Sequence, residues 1–276
     1  MTLAAKALSS SRIAFGATIL VALWLASLVG PIIHPGDPME MVGRPFVWPG
    51  VNPNFPLGTD QLGRDVLSGL LSGAQISLGI GIVSASTAIL IGIAVGATAG
   101  GVGGYVDDVL MRICEVFQNI PGFILAIVLL SIFGVSVTKM VVCISIVSWP
   151  PVARIVRAQM LSLRQRDFVA SCRLIGMSRF RIIVTQMLPN SLAPVFVMAS
   201  MITASAILIE AALSFLNLSD PNLMSWGRMI GNGRAALRTA WYLVALPGGA
   251  IFVTTIALNI LGEGVSDALN SRRTTN

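Results

Sequence analysis

Residues 154–190 read RIVRAQMLSLRQRDFVASCRLIGMSRFRIIVTQMLPN and separate two long apolar segments. The stretch holds seven of the chain's 18 basic residues: Arg154, Arg157, Arg164, Arg166, Arg173, Arg179 and Arg181. An excess of arginine between two apolar segments is typical of a loop on the cytoplasmic side of a membrane. The stretch therefore predicts a polytopic membrane protein organised around one cytoplasmic loop.

The loop has helical order of its own. A first helix is predicted over residues 167–175, because its apolar residues share one face: Phe168, Val169, Cys172 and Ile175. Gly176 can end this helix, since glycine adopts a positive φ at little cost. Ser178 can then cap a second helix over residues 179–187. Two short helices around a glycine corner would form a rigid projection on the cytoplasmic side.

Composition indicates that the chain is an integral membrane protein. Of its 276 residues, 55% are hydrophobic and 11% are charged, whereas soluble domains have about 25% charged residues. The net charge of +6 does not indicate nucleic-acid binding. Twelve of the 18 basic residues fall in segments predicted to be cytoplasmic and six in segments predicted to be outside, so the charge indicates orientation.

The predicted fold class is all-α, with six transmembrane helices across a bilayer core of about 30 Å. The spans cover approximately residues 13–33, 74–99, 109–133, 140–155, 191–213 and 241–261. The first is interpreted as a retained helix, because no small-residue cleavage site follows it. Both termini are predicted to be cytoplasmic from their basic residues: Lys6, Arg12, Arg272 and Arg273.

Polar residues in the spans mark candidate pathway positions. Glu115, Gln118 and Asn119 lie in the third span, and such residues usually face a bundle interior or a water-filled path. Alternatively, Glu115 pairs with Arg112, one turn away, near the inner surface. In the fourth span, the prolines at 150 and 151 are expected to kink or end the helix. Residues 100–104, followed by two aspartates, are predicted to form an inner turn.

The sequence contains no motif for nucleotide binding, metal binding or catalysis. A phosphate-binding loop ending in Gly-Lys-Ser/Thr is absent, so the chain is not expected to hold ATP. His34 is the only histidine, and the three cysteines are single and widely spaced. We therefore expect no metal site, no cofactor and no catalytic set in this chain. A membrane pathway of this kind must take its energy from partners.

Two outer segments carry specific motifs. Residues 57–65 read LGTDQLGRD; taken alone, Thr59 as a cap with Asp60 in the first turn is an ordinary helix start. The segment resembles the LGTDxLGRD signature of the dipeptide, oligopeptide and nickel permeases of bacterial ABC importers, with eight positions matching. Residues 210–229 are similar to the family's EAxLSFLGLG and PSWGxM block, with Asn217 in place of a glycine.

The cytoplasmic loop resembles the family's coupling loop, whose EAA motif is Glu-Ala-Ala-x-x-x-Gly followed by Leu-Pro. Gly176 and Leu188-Pro189 match this pattern. Residues 170–172 read Ala-Ser-Cys, so the signature glutamate is missing; Asp167, about one turn earlier, could partly replace it. The resemblance implies these coupling residues: Arg164, Asp167, Ala170, Ser171, Arg173, Gly176, Met177, Ser178, Leu188 and Pro189. The alternative from composition alone is a charged loop without a coupling role.

The resemblance implies a type I ABC importer permease fold in the bacterial inner membrane. Residues 1–72 would form the first transmembrane helix and a periplasmic segment, and residues 73–276 the permease domain, with the coupling loop at about 160–190. The implied partners are a second homologous permease, two ATP-binding subunits that hold ATP and Mg²⁺, a periplasmic or lipid-anchored binding protein, and membrane lipid. No nucleic acid is expected. Candidate contacts with the binding protein are Asp60, Arg64, Asp65, Trp226 and Arg228.

Several alternatives remain open at this stage. Di- and oligopeptides are the favoured substrates, with nickel or metal chelates as the alternative within the family. A self-contained secondary transporter is less favoured, because it would need internal repeats or intramembrane charges for coupling. Trp226 could equally be a tryptophan of the membrane interface.

Overall fold

The computed structural model describes residues 11–270, and all regular secondary structure in this range is helical. The basic residues expected to mark the termini lie outside the described range, apart from Arg12. The all-α prediction is confirmed for the described part of the chain.

The first half of the chain forms five helices. They are α1 (Ser11–Ile33), α2 (Val66–Val102), α3 (Gly104–Asn119), α4 (Gly122–Phe133) and α5 (Val137–Arg164). The second half begins with short elements and ends with long ones. They are α6 (Asp167–Leu174), α7 (Arg179–Ile182), a π-helical segment (Ile183–Met187), α8 (Leu188–Ser191), α9 (Ala193–Phe215), α10 (Trp226–Gly233), a 3₁₀ turn (Arg234–Ala236) and α11 (Tyr242–Asn270).

Five of the described helices, α1, α2, α5, α9 and α11, are long and apolar enough to cross a membrane. The pair α3 and α4 makes a sixth crossing if the two are counted as one broken span. With that pair counted as one span, the number of spans agrees with the six that were predicted. The domain boundary expected between residues 72 and 73 falls inside α2.

Helix α2 is the centre of the bundle, and glycines bring it close to α5. The close contacts pair Gly92 with Val152, Gly96 with Ala153 and Gly100 with Met160. A Cβ on any of these glycines would collide with α5, which explains the small residues in this apolar segment. Because the paired numbers rise together, α2 and α5 run parallel. The chain must recross the membrane between them, through α3 and α4.

Helix α9 runs antiparallel to α2: Ser77 and Gly81 of α2 lie against Glu210 and Ile207 of α9. Helix α11 runs antiparallel to α1, since Ala257 lies against Gly16 and Gly264 against Ile13. Helix α1 packs on α2 and α11 and is otherwise peripheral. Its exposed side is apolar, as expected for a face in contact with lipid: Phe15, Val21, Leu25, Leu28 and Ile32.

The third span differs from the prediction of one helix over residues 109–133. Its two helices meet at 88°, with the break at residues 120–121. Pro121 caps α4 and has no N–H with which to continue the hydrogen bonds of α3. The inner turn predicted at 100–104 is also wrong in its length. Only Gly103, at φ +76°, interrupts the helices, and Asp107 already lies in the first turn of α3.

The fourth span does not end at its prolines. Pro150 and Pro151 lie inside α5, which continues to Arg164. Transmembrane helices tolerate proline where neighbouring helices hold the segment in place, and here α2 lies along it. Arg154 and Arg157, predicted to lie in the cytoplasmic loop, are therefore helical residues of α5.

Candidate functional site

The loop between α5 and α9 folds as the two helices expected around a glycine corner. Helix α6 ends at Leu174, and Gly176 has φ +79°. The Gly176 N–H donates to the Arg173 carbonyl over 3.0 Å, and the Met177 N–H donates to the Cys172 carbonyl over 3.1 Å. These two bonds form a Schellman motif, which satisfies the last carbonyls of α6. The prediction of a left-handed corner at Gly176 is confirmed.

The second helix of the loop is less regular than predicted. The Ser178 hydroxyl accepts from the Arg181 N–H over 3.4 Å and caps α7, as expected. After one turn, the chain widens into the π-helical segment, where the Leu188 N–H donates to the Ile183 carbonyl. Pro189 then lies at the start of α8. A proline cannot donate to the preceding turn, and a π-helical shift in register is one way a helix accommodates this.

The apolar residues of the loop divide into two sets. Val169 is fully buried and Cys172 is partly buried. Phe168 and Ile175, which were predicted to share their face, are exposed. Only part of this apolar face therefore packs on the helix bundle. Leu174 is 88% exposed and Phe180 is 77% exposed.

We call this exposed surface the inner knob; its large apolar residues are Phe168, Leu174, Ile175 and Phe180. Most of the coupling residues suggested by the resemblance are exposed: Arg164, Asp167, Ala170, Ser171, Arg173, Gly176, Ser178 and Pro189. Met177 and Leu188 are partly buried. A cluster of exposed apolar residues beyond the spans is typical of a surface that binds another protein.

The LGTD segment has a different role from the helix start predicted for it. Asp65, and not Thr59, caps α2: its carboxylate accepts from the N–H groups of Leu67 and Ser68 over 3.2 and 3.0 Å. His34 Nε2 lies 2.6 Å from the same carboxylate. Thr59 is fully buried. Asp65 is therefore a structural cap and is too buried to be a docking contact.

Two other residues of this segment were candidate contacts. Asp60 accepts from the N–H groups of Leu62 and Arg64 and fixes the turn between them. The Arg64 Nε is buried and has no hydrogen-bond partner in the described protein. Asp60 therefore already accepts two hydrogen bonds within the fold, whereas the buried Nε of Arg64 has no partner there.

Trp226 lies inside the structure and not on its outer surface. Only 1% of it is exposed, and its indole N–H donates to the Leu70 carbonyl over 3.0 Å. Its backbone N–H donates to the Ser77 hydroxyl over 3.2 Å. The reason is that α10 folds back against α2, α9 and α11. Both sequence interpretations of Trp226, as a docking contact and as an interfacial tryptophan, are therefore wrong.

The same region buries a carboxylate. Glu210 lies in the last two turns of α9, which continues to Phe215, and is fully buried. It accepts from the hydroxyls of Ser77 and Ser214 over 3.0 and 2.7 Å. Ser77 also receives the Trp226 N–H, so one network joins α2, α9 and α10. Buried polar groups with satisfied hydrogen bonds fix a unique packing arrangement.

Arg228 stabilises the outer turn that precedes α10. Its guanidinium donates to the carbonyls of Asp220 and Leu223 over 2.7 and 3.0 Å. Burial lowers the pKa of the Arg228 guanidinium below its usual range, and the nearby charge of Arg64 acts in the same direction. This residue is therefore mainly a support of the outer segment.

The candidate pathway residues lie together on the exposed side of α3: Glu115, Gln118 and Asn119. Glu115 pairs with Arg112 over 2.9 Å, as the alternative interpretation expected. Gln118 Oε1 accepts from Arg154 Nη1 of α5 over 2.6 Å. Sequence reasoning missed Arg154 as a member of this group, because it was assigned to the cytoplasmic loop. Within residues 11–270, no group of histidine, cysteine or acidic residues could hold a metal ion.

Comparison with known proteins identifies the family. Residues 88–275 match the family described as binding-protein-dependent transport system inner membrane component. The di/tripeptide transport system permease of Pseudomonas aeruginosa (strain UCBPP-PA14) is 35% identical over 263 residues, covering 93% of this chain and 87% of the relative. The dipeptide transport system permease of Haemophilus influenzae is 33% identical, with 93% and 89% covered. The glutathione transport system permease of Pectobacterium atrosepticum is 38% identical, with 78% and 72% covered.

Among solved structures, an inward-facing form of the MetNI methionine ABC transporter matches with a TM-score of 0.59 at 16% identity, covering 72% of this chain and 96% of that chain. At this identity the match shows the fold alone. The chain belongs to the family of binding-protein-dependent transport system inner membrane components, and it has the fold of an ABC importer permease.

Proposed function

We propose that this chain, as a member of that family, is the permease subunit of an ABC importer that carries peptides across the bacterial inner membrane. The proposal for the substrate rests on the relatives, whose names specify di- and tripeptides, dipeptides and glutathione. All of these are small peptides with a free carboxylate. The chain would form half of the pathway and perform no chemical step itself.

The proposed complex contains a second homologous permease, two ATP-binding subunits and a periplasmic or lipid-anchored binding protein. ATP and Mg²⁺ are bound by the ATP-binding subunits, and this chain holds no cofactor. Both of its termini lie in the cytoplasm, because the basic residues concentrate on the side of the inner knob. A cysteine at Gln165 should accordingly react only with an inside reagent, and one at Asn222 with an outside reagent. Outside labelling at position 165 would contradict this orientation.

The inner knob is the observation that carries the proposal for coupling. Three of its apolar residues are at least 77% exposed: Leu174, Ile175 and Phe180. The same loop carries four exposed arginines: Arg166, Arg173, Arg179 and Arg181. We place the knob in a cleft of an ATP-binding subunit. Closure of these subunits on ATP would displace the knob. The π-helical segment and α8 connect it directly to α9, which packs against both α2 and α10.

The coupling role is tested by placing a charge on the knob. Leu174→Glu and Phe180→Glu alter exposed side chains, so the bundle should still fold and pair with the partner permease. We expect loss of the ATP-binding subunits on purification of the complex and loss of ATP-dependent peptide uptake in proteoliposomes. Val51→Glu, at an exposed apolar residue of the outer segment, is the matched control and should keep the ATP-binding subunits. Retention of both properties in the knob variants would refute the coupling role.

The substrate is tested separately on the wild-type complex with its binding protein. Labelled dialanine and glutathione should accumulate in the vesicles when ATP is supplied to the ATP-binding subunits. Nickel uptake without uptake of either peptide would replace the proposed substrate with a metal ion or its chelate.

A further inference from the structure

Helices α3 and α5 cross in the half of the bundle nearer the inner knob, and polar residues of both helices meet there. Arg154 donates to Gln118 over 2.6 Å, and Arg157 Nη2 donates to Asp107 Oδ2 over 2.7 Å. Arg154 lies ten positions before the end of α5 at Arg164, which is about 15 Å along the helix axis. Arg154 therefore lies inside a helix that is long and apolar enough to cross a membrane.

The two arginines at this crossing differ in their partners. Arg157 makes two hydrogen bonds to one carboxylate and is partly buried, as in a structural ion pair. Arg154 is exposed, and its side chain donates to the neutral amide oxygen of Gln118. No ion pair joins Arg154 to a carboxylate within residues 11–270. A guanidinium has five N–H donors, so Arg154 keeps donors for a ligand.

The surface around Arg154 is unlike a surface that faces lipid. The exposed stripe of inner α5 consists of small or polar residues and a proline: Pro151, Arg154, Ala158 and Ser162. The exposed side of α1, by contrast, is built from large apolar residues such as Phe15 and Leu25. Charged residues at membrane depth usually face a water-filled cavity or the interior of a bundle. The α5 stripe is therefore suited to line the pathway.

We propose that Arg154, held in position by Gln118, binds the carboxylate of the transported molecule on its way to the cytoplasm. Arginine forms two parallel hydrogen bonds with a carboxylate, and the bond to Gln118 fixes the direction of the guanidinium. The inference rests on the proposed function, since peptides supply such a carboxylate. A single exposed arginine gives weak binding, which allows the ligand to leave as well as to enter.

The inference is tested by comparing a peptide acid with its amide. The nucleotide-free complex of this chain, its partner permease and the ATP-binding subunits is placed in nanodiscs of neutral lipid, without binding protein. It is irradiated with alanyl-p-benzoylphenylalanine or with the C-terminal amide of the same dipeptide. Crosslinks to α3 and α5 are measured by mass spectrometry over a range of probe concentrations.

In the wild-type complex, the acid should reach half-maximal labelling at a concentration about tenfold lower than the amide, the size expected for one charge-assisted contact. Arg154→Gln should abolish this difference, and Arg154→Lys should keep part of it. Arg238→Gln, which removes an exposed outer arginine and the same net charge, should leave the difference unchanged.

Three outcomes would overturn the inference: equal labelling by acid and amide in the wild type, an unchanged difference in Arg154→Gln, or failure of Arg154→Gln to assemble with the partner permease. The last outcome would make Arg154 a subunit contact. If the preference for the acid is abolished when phosphatidylglycerol replaces part of the neutral lipid, the site belongs to lipid phosphate and the inference also fails. Peptide uptake by the same wild-type complex tests the proposed function independently of these results.

Discussion

The inner knob and the outer segment around α10 lie at opposite ends of the bundle and treat their large apolar residues in opposite ways. Leu174 and Phe180 extend from the knob into solvent, whereas Trp226 and Tyr242 are almost completely buried. The Tyr242 hydroxyl lies 2.8 Å from the Thr59 carbonyl and 3.0 Å from the Val47 carbonyl, so that its one hydrogen is shared between them and ties the LGTD segment to α11. The apolar side chains of the knob thus stay exposed, whereas those of the outer segment make their contacts within the chain.

Two family motifs of this chain thus differ in burial: one is exposed, and the other is built into the fold. The coupling motif lies on a surface that the chain leaves uncovered. The residues of the LGTD and tryptophan motifs are used within the chain, in a helix cap, in hydrogen bonds of buried hydroxyls and in close backbone packing. Substitutions at the outer motifs should therefore reduce stability, and substitutions at the knob should reduce transport while the subunit stays folded.

The largest effect on stability is expected from Trp226→Ala. Removing a buried tryptophan costs about 3–5 kcal/mol of unfolding free energy, and this change also removes the indole bond to Leu70. Thermal unfolding of the purified permease pair should shift strongly to lower temperature. Trp241→Ala, at a neighbouring exposed tryptophan, is the control and should shift it little. Equal shifts for the two variants would contradict the burial of Trp226.

Gly176→Arg should have a smaller effect on stability and a complete effect on transport. A side chain at φ +79° costs about 1–2 kcal/mol, but no atom of the described chain lies close enough to clash with a Cβ there. The subunit should still insert and pair, while peptide uptake stops and ATP hydrolysis no longer responds to loaded binding protein. Gly176→Asn, which tolerates a left-handed conformation better, should retain more activity. Wild-type uptake in Gly176→Arg would separate the knob from coupling.

Asp65→Ala should lower stability moderately through the cap of α2. Loss of a helix cap of this kind costs about 0.5–2 kcal/mol, and His34 would lose its partner in the same change. The unfolding temperature of the permease pair should fall by less than in Trp226→Ala. Asp37→Ala, at an exposed outer aspartate, provides the comparison. A larger fall for Asp37→Ala would exclude Asp65 as the main cap.

Ala170→Glu should have the smallest effect. Ala170 is exposed on α6, and surface substitutions of this kind usually change stability by less than about 0.5 kcal/mol. The change restores the family's glutamate, so assembly with the ATP-binding subunits and uptake should be retained. Loss of assembly would show that the partner surface has adapted to alanine at this position.

Features that depend on a few neighbouring residues could be predicted from sequence. The corner at Gly176 and the cap at Ser178 follow from residues within one turn, and the spans follow from local hydropathy. The break at Pro121 was missed, because hydropathy stays high on both of its sides. The burial of Trp226 could not be predicted either. It depends on Ser77, which is 149 positions away in the chain.

The same limit applies to the candidate pathway. Glu115 and Gln118 could be identified as polar residues within an apolar stretch. The membership of Arg154 depends on the continuation of α5 beyond two prolines, which is determined by its packing along α2. The coupling residues stay a prediction that the experiments above address.

The parallel arrangement of α2 and α5 has a consequence for biosynthesis. Parallel neighbours cannot insert as a hairpin, so α5 reaches its place only after the chain between them has recrossed the bilayer. That chain begins with α3, which carries Asp107, Asp108, Arg112 and Glu115 and is poorly suited to enter lipid alone. The partner that neutralises Asp107 is Arg157, near the end of α5. We therefore expect α5 to be synthesised before the third crossing is secured, and α3, α4 and α5 to leave the insertion machinery together.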